Sequence, residues 1–412
     1  MLRKKRALDA VAAEVLNAAS LESRDAGFAR AIATTALRRF GQLEALIRHF
    51  VPKSPPPHKA GPTLEILIAG AAELLFLGVA AHAAVDAANR LAEGDSKAAH
   101  FKSLINAVLR RVAREGAGLV AAQDASLNVP DWLWPRWVAH YGEAVAASIA
   151  SAHLGVPPLD LTLKSADDPC TDLNMVRLGP GRVRLEHAGR IEELPGFNEG
   201  RWWVQDFAAS LAARLLGDVA GKSVIDLCAA PGGKTLQLAA AGADVTAVDL
   251  SSERLTLVEA NLARTKLQAK LIAADARDWR PETQAPFVLL DAPCTATGTI
   301  RRHPDLPWLK SAADLQICEG LQAELLDAAA EMTAPGGMLV YAVCSLEPEE
   351  GEEQVASFLR RRSDFSRVPV TAEEVFDASF VTGEGTLKTL PSYGADKGGM
   401  DGFFAAKLRQ LL

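Results

Sequence analysis

The sequence predicts a multidomain protein, with an all-α domain over residues 1–125, a small α+β connector over 126–200 and an α/β domain over 201–412. Three observations support this organisation. The chain has 412 residues, more than one ordinary core accommodates. The spacing of apolar residues changes from helical to strand-like along the chain. The charge also changes sign: residues 1–120 hold 17 Lys and Arg against 11 Asp and Glu, whereas residues 121–412 hold 27 against 40.

The N-terminal part shows helical periodicity and almost no strand signal. Apolar residues recur every three or four positions through Ala7–Ala18, Phe28–Phe50, Leu64–Leu77, His82–Ala92 and Phe101–Ala113. The proline-rich Lys53–Pro62 predicts a loop, because consecutive prolines cannot continue a helix. This part has a net charge of +6 and could supply contacts to nucleic-acid phosphates.

The cysteines and the apolar segments predict the cellular location of the protein. The five cysteines (170, 228, 294, 318 and 344) form no CxxC pair, so neither a metal site nor a disulfide framework is predicted. Free thiols predict a reducing, cytoplasmic location. The longest apolar run, Ile66 to Val85, contains Glu73 and His82 and predicts a buried helix rather than a membrane span. The basic N-terminus predicts an amphipathic helix rather than a signal peptide.

The remaining chain predicts strands. In the connector, LDLTLK and RVRLEHAG alternate between apolar and polar residues among several prolines. From residue 201 onward, apolar runs alternate with turns or helices: SVIDLCA, ADVTAVDL, AKLIAAD, FVLLDAP and GGMLVYAVCS. This pattern predicts a parallel sheet covered on both faces. Ligands of such sheets bind beyond the carboxyl ends of the strands.

The first of these strands leads into DLCAAPGGKT, which ends like a phosphate-binding P-loop. That motif requires glycine five residues before Gly233, where this chain has Cys228. The inserted Pro231 also removes an amide from any phosphate nest. A nucleoside triphosphate site is therefore disfavoured.

Acidic residues at the strand ends favour a different cofactor. Asp249 ends the second strand, 23 residues after Asp226 in the first, where a carboxylate can accept both ribose hydroxyls of an adenosyl group. Asp275 follows the third strand, where it can receive the adenine amino group, and Asp291 ends the fourth. A cationic cofactor with ribose and adenine but no phosphate fits these acids. S-adenosylmethionine is that cofactor.

Two cysteines also lie just after strands, Cys294 in FVLLDAPC and Cys344 in MLVYAVC. Attack of a thiolate on C6 of cytosine makes C5 able to accept a methyl group, and loss of the C5 proton then expels the thiol. The chemistry also needs an acid at cytosine N3, a position that suits Asp291. Buried cysteines are usually inert. We assign Cys170 and Cys318 to that class, and we expect Cys228 to contact the cofactor through its backbone.

Several motifs together resemble a known family. DLCAAPGGKT, DAPCTATGTIRRHPD, YAVCSLEPEE and DGFFAAKL are similar, in order and spacing, to motifs of the RNA cytosine-C5 methyltransferases of the Fmu/Sun/Nol1 family, and LPGFNEGRWWVQDFAA resembles the segment that enters their catalytic domain. DAGFARAIATTALRR and FKSLINAVLRRV resemble the NusB-type helical RNA-binding domain. This combination is the layout of bacterial 16S ribosomal RNA methyltransferases. The resemblance implies a NusB-like domain followed by a Rossmann-like class I S-adenosylmethionine-dependent methyltransferase domain.

The resemblance also implies roles for individual residues. Cys344 would be the nucleophile and Cys294 would assist product release, with Asp291 and Lys234 completing the catalytic group. The cofactor site would comprise Cys228, Ala229, Ala230, Pro231, Gly232, Gly233, Lys234, Asp249, Asp275 and Asp291. The substrate would be 16S rRNA, with no DNA or membrane partner, and we expect a monomer. The chain departs from the family at Val343 (commonly Thr), at Thr295–Ala296 (commonly Ser-Gly) and at LTLK, which replaces a strand ending in Arg-x-Asn.

Other interpretations remain open at the level of sequence. The same chemistry could act on tRNA or on another rRNA position, and a non-catalytic RNA-binding or antitermination factor is an alternative of a different class. Intact Cys294, Cys344, Asp291 and Lys234 argue against that alternative. Substrate phosphates could be bound by Arg301, Arg302 and His303. Trp202 and Trp203 could stack an unpaired base or pack in the core.

Overall fold

The computed structural model describes residues 2–53, 55–168, 173–185 and 189–412. It divides into two compact units, one of Met1–Gly155 with His303–Leu309 and one of Val156–Arg302 with Lys310–Leu412. The division at Gly155 groups residues 126–155, which the sequence assigned to the connector, with the helical unit. The short 3-10 helix Ala125–Asn128 joins these residues to that unit, because the Asn128 side chain accepts a hydrogen bond from the amide of Gln42 at 3.1 Å.

The first unit is helical in the part of it that the structure describes. Its α-helices before Gly155 are α1 (Leu8–Ala19), α2 (Ser23–Arg38), α3 (Phe40–Phe50), α4 (Pro57–Ala60), α5 (Thr63–Phe76), α6 (Ala81–Glu93), α7 (Lys102–Ala121), α8 (Trp134–Tyr141) and α9 (Glu143–Ala152). The periodicity predicted over Phe28–Phe50 is divided at Arg39, which lies between α2 and α3. The loop predicted over Lys53–Pro62 contains the one-turn helix α4.

The apolar run predicted to be a buried helix lies mainly in α5. This helix ends at Phe76, and α6 begins at Ala81. Leu67 and Ala71 of α5 pack with Leu43 of α3 and with Ile105 and Leu109 of α7. Among the described residues, no helix combines the length and the hydrophobicity that a membrane crossing requires.

The second unit begins with a four-stranded sheet. Its strands are β1 (Leu159–Leu163), β2 (Val176–Gly179), β3 (Arg182–Leu185) and β4 (Trp202–Val204), in the antiparallel order β2-β3-β1-β4. The segments LDLTLK and RVRLEHAG contain β1 and β3, as predicted. Leu161, Leu163, Val183 and Trp202 form the apolar core of this sheet.

A larger sheet follows, built from β5 (Ser223–Leu227), β6 (Asp244–Asp249), β7 (Lys270–Ala273), β8 (Ala285–Asp291), β9 (Thr333–Val343), β10 (Phe365–Val368), β11 (Leu387–Thr389) and β12 (Phe403–Gln410). The order is β10-β12-β9-β8-β5-β6-β7, with β11 paired to β12. The strands β5 to β9 are parallel, as predicted. The expectation of a wholly parallel sheet is wrong, because β12 pairs antiparallel with β9, and β10 and β11 pair antiparallel with β12.

Helices cover the larger sheet on both faces. They are α10 (Phe207–Arg214), α11 (Gly233–Ala240), α12 (Ser252–Thr265), α14 (Ala312–Met332), α15 (Glu352–Arg361) and α16 (Ala372–Val375), whereas α13 (Leu306–Leu309) belongs to the helical unit. Alternate residues of β8 enter different cores: Val288 and Leu290 pack with Leu326 on one face, and Leu289 packs with Leu211 on the other. The parallel strands therefore end at a common edge, and the candidate site lies there.

Candidate active site

The loop between β5 and α11 contains residues 228–232. Cys228 has a φ of 59°, which is unusual for a residue with a side chain, and Gly232 has a φ of 101°. A Cβ atom at Gly232 would lie 2.9 Å from Val258 of α12, so glycine is required there by conformation and by space. Burial, followed by the charges of nearby aspartates, raises the pKa of the Cys228 thiol. A cofactor contact through the Cys228 backbone stays a prediction.

Asp249, the last residue of β6, holds this loop in place. Its carboxylate accepts hydrogen bonds from the amides of Ala230 at 3.0 Å and Ser251 at 2.9 Å. Arg254 donates to the Ala230 carbonyl at 2.5 Å. The Ala230 amide is therefore engaged and Pro231 has none to donate, so the loop is poorly suited to cradling phosphates.

The other acids occupy different surroundings along the same edge. Asp275 lies two residues beyond β7 and accepts hydrogen bonds from Arg277, whose side chain and backbone lower the pKa of Asp275. Asp226 lies inside β5, is fully buried and accepts a hydrogen bond from the Thr235 hydroxyl at 2.6 Å. Burial raises the pKa of Asp226 to about 7. Asp226 therefore belongs to the interior of β5, Asp249 is buried at the end of β6, and Asp275 and Asp291 are half-buried at the edge of the sheet.

Lys234 and Asp291 form an ion pair at this edge. The Lys234 ammonium, on the first turn of α11, lies 2.6 Å from the Asp291 carboxylate at the end of β8. It also lies 5.2 Å from the centre of the Phe403 ring. Burial lowers the pKa of Lys234, but the charge and hydrogen bond of Asp291 outweigh burial and hold it above its ordinary value. The ammonium is thus fixed as a cation beside the cysteines.

The structure brings the two predicted cysteines together. β8 and β9 are parallel neighbours in which Asp291 pairs with Ala342, so Cys294 and Cys344 leave the sheet side by side. Their sulfur atoms lie 3.5 Å apart, and both residues are half-buried. The hydrogen bond to Cys344, burial and the neighbouring charges raise the pKa of the Cys294 thiol. Two thiols, an ammonium and a carboxylate thus meet at one place.

Backbone hydrogen bonds join three of the sequence motifs around these thiols. The Gly298 amide, in the motif that contains Cys294, donates to the Cys344 carbonyl at 3.0 Å. The Gly402 amide, in DGFF, donates to the Gly298 carbonyl at 2.8 Å. A Cβ atom at Gly298 would lie 1.9 Å from the Gly402 carbonyl oxygen, so the close approach requires glycine.

Sequence reasoning missed Glu350, which lies behind the thiols. Its carboxylate accepts hydrogen bonds from the amide and hydroxyl of Thr295, from the Ser345 hydroxyl and from the Gln322 side chain. Thr295 and Ser345 directly follow the two cysteines. Glu350 ends the motif YAVCSLEPEE, but nothing in that acidic run distinguishes it from Glu347, which is also buried, or from the half-buried Glu349.

The suggestion that Arg301 and Arg302 grip RNA phosphates is wrong, because both side chains enter a buried ionic network. Arg302 lies 2.6 Å from Asp206 and 3.1 Å from Asp401, and Arg301 lies 3.0 Å from Asp401. Asp206 also caps α10 by accepting a hydrogen bond from the Ala208 amide. The charges of Arg302 and Arg301 lower the pKa of Asp206 against the opposing effect of burial. We call these four charged residues the Asp206 network.

The tryptophans and the remaining cysteines also have structural surroundings. Trp202 is fully buried in the core of the small sheet, and Trp203 packs against Leu236 and Val258, so core packing is correct for both. Cys318 is half-buried on α14, and burial raises its pKa to about 11. Cys170 lies outside the described residues.

Family models match both parts of the chain. Residues 1–114 match the NusB family, and residues 213–409 match the model described as 16S rRNA methyltransferase RsmB/F. Ribosomal RNA small subunit methyltransferase B of Cronobacter sakazakii is 37% identical over 401 residues, covering 90% of this chain and 87% of that protein. The chain belongs to the RsmB/F family.

Two further comparisons agree with this RsmB/F assignment. Ribosomal RNA small subunit methyltransferase B of Pseudomonas putida is 36% identical over 414 residues, covering 95% of this chain and 92% of that protein. The crystal structure of PH0851 superposes with a TM-score of 0.77 at 24% identity, covering 96% of this chain and 93% of that chain, and shows the shared fold. The protein is thus an S-adenosylmethionine-dependent methyltransferase of an rRNA-modifying family.

The residues at the sheet edge fit the methyl donor of that family. Asp249, Asp275 and Asp291 would be the residues that bind its ribose, its adenine amino group and its positive charge. The loop 228–234, with its engaged Ala230 amide, accommodates a nucleoside better than a polyphosphate. These residues would hold S-adenosylmethionine, which supplies an electrophilic methyl group when bound.

Proposed function

We propose that the protein methylates C5 of a cytosine in 16S rRNA through a covalent adduct between Cys344 and cytosine C6. The observation that carries this proposal is the pair of thiols 3.5 Å apart beside the Lys234–Asp291 ion pair. A methyltransferase acting on a nitrogen or on a ribose hydroxyl has no need of a nucleophilic sulfur.

Each of the four residues at the catalytic centre then has a chemical role. The Cys344 thiolate bonds to C6, and the electron pair displaced from the C5–C6 bond makes C5 nucleophilic toward the methyl donor. The proton that cytosine N3 requires during the attack comes from the Lys234 ammonium and passes through the carboxyl group of Asp291, with which that ammonium is paired. After methylation the C5 proton leaves to solvent water, its electron pair reforms the C5–C6 double bond, and the electron pair of the Cys344–C6 bond returns to the sulfur as that bond breaks. Cys294 assists this last step.

The fixed charges support the choice of Cys344 as nucleophile. Lys234 is a cation that interacts electrostatically with Cys344, whereas the pKa of the Cys294 thiol is raised. A non-catalytic RNA-binding factor would have no use for this arrangement.

The direct test is nucleoside analysis of the product. Unmethylated 16S rRNA and, separately, unmethylated tRNA are incubated with the protein and S-adenosylmethionine carrying a labelled methyl group, then digested and examined by mass spectrometry. We expect labelled 5-methylcytidine from 16S rRNA alone, and the same result from a Cys318→Ala control. Labelled 5-methylcytidine from tRNA alone would overturn the substrate, and label on any other atom would overturn the chemistry.

A further inference from the structure

One buried carboxylate links the two loops that carry the thiols. Glu350 is fully buried, and its side chain accepts the Thr295 amide at 2.8 Å and the Thr295 and Ser345 hydroxyls. Thr295 follows Cys294, and Ser345 follows Cys344. The backbone carbonyl of Glu350 also accepts the Tyr341 hydroxyl at 2.6 Å, which fixes Glu350 against β9. The Glu350 side chain therefore joins the two residues that directly follow the thiols, in addition to the pairing of β8 with β9.

This carboxylate is held by hydrogen bonds alone. Within the described residues, no Lys, Arg or His lies within ion-pair distance of Glu350, and the Gln322 amide at 3.1 Å is a neutral donor. A buried carboxylate without a counter-charge is costly to a protein, and a neutral side chain could have made similar hydrogen bonds. The negative charge itself therefore requires an explanation.

The charges around the two thiols differ in sign. The hydrogen bond to Cys344, burial and the electrostatic effect of Cys344 raise the pKa of the Cys294 thiol most, and the charge of Glu350 adds to them. The other titratable groups near Glu350 are Cys318 and Tyr341, whose pKa values are raised, mainly by burial. On the other side, the cation of Lys234 interacts with Cys344 and is paired with Asp291.

We propose that Glu350 is a positioning residue that holds the two thiols side by side and that its negative charge keeps the proton on Cys294. The Cys294 thiol then donates its hydrogen bond toward the Cys344 sulfur. The inference rests on the proposed function, because there Cys344 is the nucleophile and Cys294 assists product release.

The decisive measurement is the pH dependence of alkylation at each cysteine. The protein is treated with iodoacetamide at a series of pH values, and labelling of Cys294 is quantified by peptide mass spectrometry. In Glu350→Gln, which keeps the shape and removes the charge, we expect the midpoint for Cys294 to fall by about one pH unit, the low end of the range for a neighbouring charge, because Glu350 is the smallest of the causes that raise this pKa. In Glu353→Gln, which removes an exposed charge of the same helical region, the midpoint should stay at the wild-type value. An unchanged midpoint in folded Glu350→Gln would overturn the proposal.

A second variant tests the positioning role and does not depend on the folding of Glu350→Gln. Ser345→Ala removes the hydrogen bond to Glu350, together with those of the same hydroxyl to Thr295, Thr297 and the Glu347 amide, and keeps the carboxylate. The midpoint for Cys294 should therefore stay at the wild-type value, while diamide, a two-electron oxidant, should form the Cys294–Cys344 disulfide several-fold more slowly. A disulfide rate equal to that of wild type would refute the positioning role. Neither measurement uses RNA or methyl transfer, so failure here is distinguishable from failure of the proposed function.

Discussion

Replacing Arg302 by Gln distinguishes a structural arginine from an RNA contact. In the structure Arg302 bridges Asp206 and Asp401, whose side chains are 4% and 5% exposed. Without Arg302, the Arg301 guanidinium would be the remaining cation of the Asp206 network. We therefore expect the substitution to affect folding far more than RNA binding.

The size of the effect follows from the burial of the partners. Removing one member of a buried ion pair costs about 3–5 kcal/mol, because the other charge is left uncompensated. Two features reduce this value: Arg302 is itself 22% exposed, and the pKa of Asp401 is raised by burial to about 7, so Asp401 can take up a proton. We expect the free energy of unfolding to fall by about 3 kcal/mol at neutral pH.

Urea denaturation measures this change in the free energy of unfolding. The matched control is Arg360→Gln, because Arg360 is exposed, and this substitution should change stability by less than about 0.5 kcal/mol. Binding of a 16S rRNA fragment is then measured over a range of salt concentrations under conditions in which both variants are folded. We expect the salt dependence of Arg302→Gln to match that of wild type. Unchanged stability, together with a salt slope reduced by about one, would show that Arg302 contacts a phosphate and would refute the structural role.

Three further predictions concern the cofactor loop and its surroundings. Because the pKa of buried Asp226 is raised, the folded state keeps a proton that the unfolded state has already lost. The free energy of unfolding should therefore fall as the pH rises from about 4 to about 7. Urea denaturation between pH 5 and 8 should show a larger loss of stability for wild type than for Asp226→Asn. Ala296 has a φ of 60°, a conformation that glycine adopts without strain. Ala296→Gly should therefore increase the free energy of unfolding by up to about 1 kcal/mol and raise the melting temperature slightly. A lower melting temperature would contradict the strain at Ala296. Asp249→Ala should weaken S-adenosylmethionine binding by about 1–3 kcal/mol in calorimetry, whereas measurable ATP binding by wild type would contradict the cofactor assignment.

The arrangement of the two thiols could be predicted from the sequence. Apolar runs that end in DAPC and AVC identify parallel strands, and parallel strands deliver their carboxyl ends to one edge. The same reasoning placed Asp249 and Asp291 there. Each of these predictions depends on residues next to one another in the chain, together with one general rule about sheets.

The features that sequence did not reveal depend on contacts between distant segments. The burial of Arg302 requires Asp206 and Asp401, which lie 96 and 99 residues away. The role of Glu350 depends on Thr295, 55 residues earlier. The antiparallel strand β12 was not predicted, because FFAAKLRQ has no strict alternation and its partner β9 is distant in sequence.

The central claim is that Cys344 forms the covalent bond and Cys294 assists its release, and trapping of the adduct tests this most directly. Cys294→Ala and Cys344→Ala are each incubated with 16S rRNA and S-adenosylmethionine and are then separated on a denaturing gel. We expect a slowly migrating protein–RNA band with Cys294→Ala, because the adduct forms but is not released. Cys344→Ala should give no such band, because the attacking sulfur is absent. A band from Cys344→Ala and none from Cys294→Ala would assign the nucleophile to Cys294 and contradict the account.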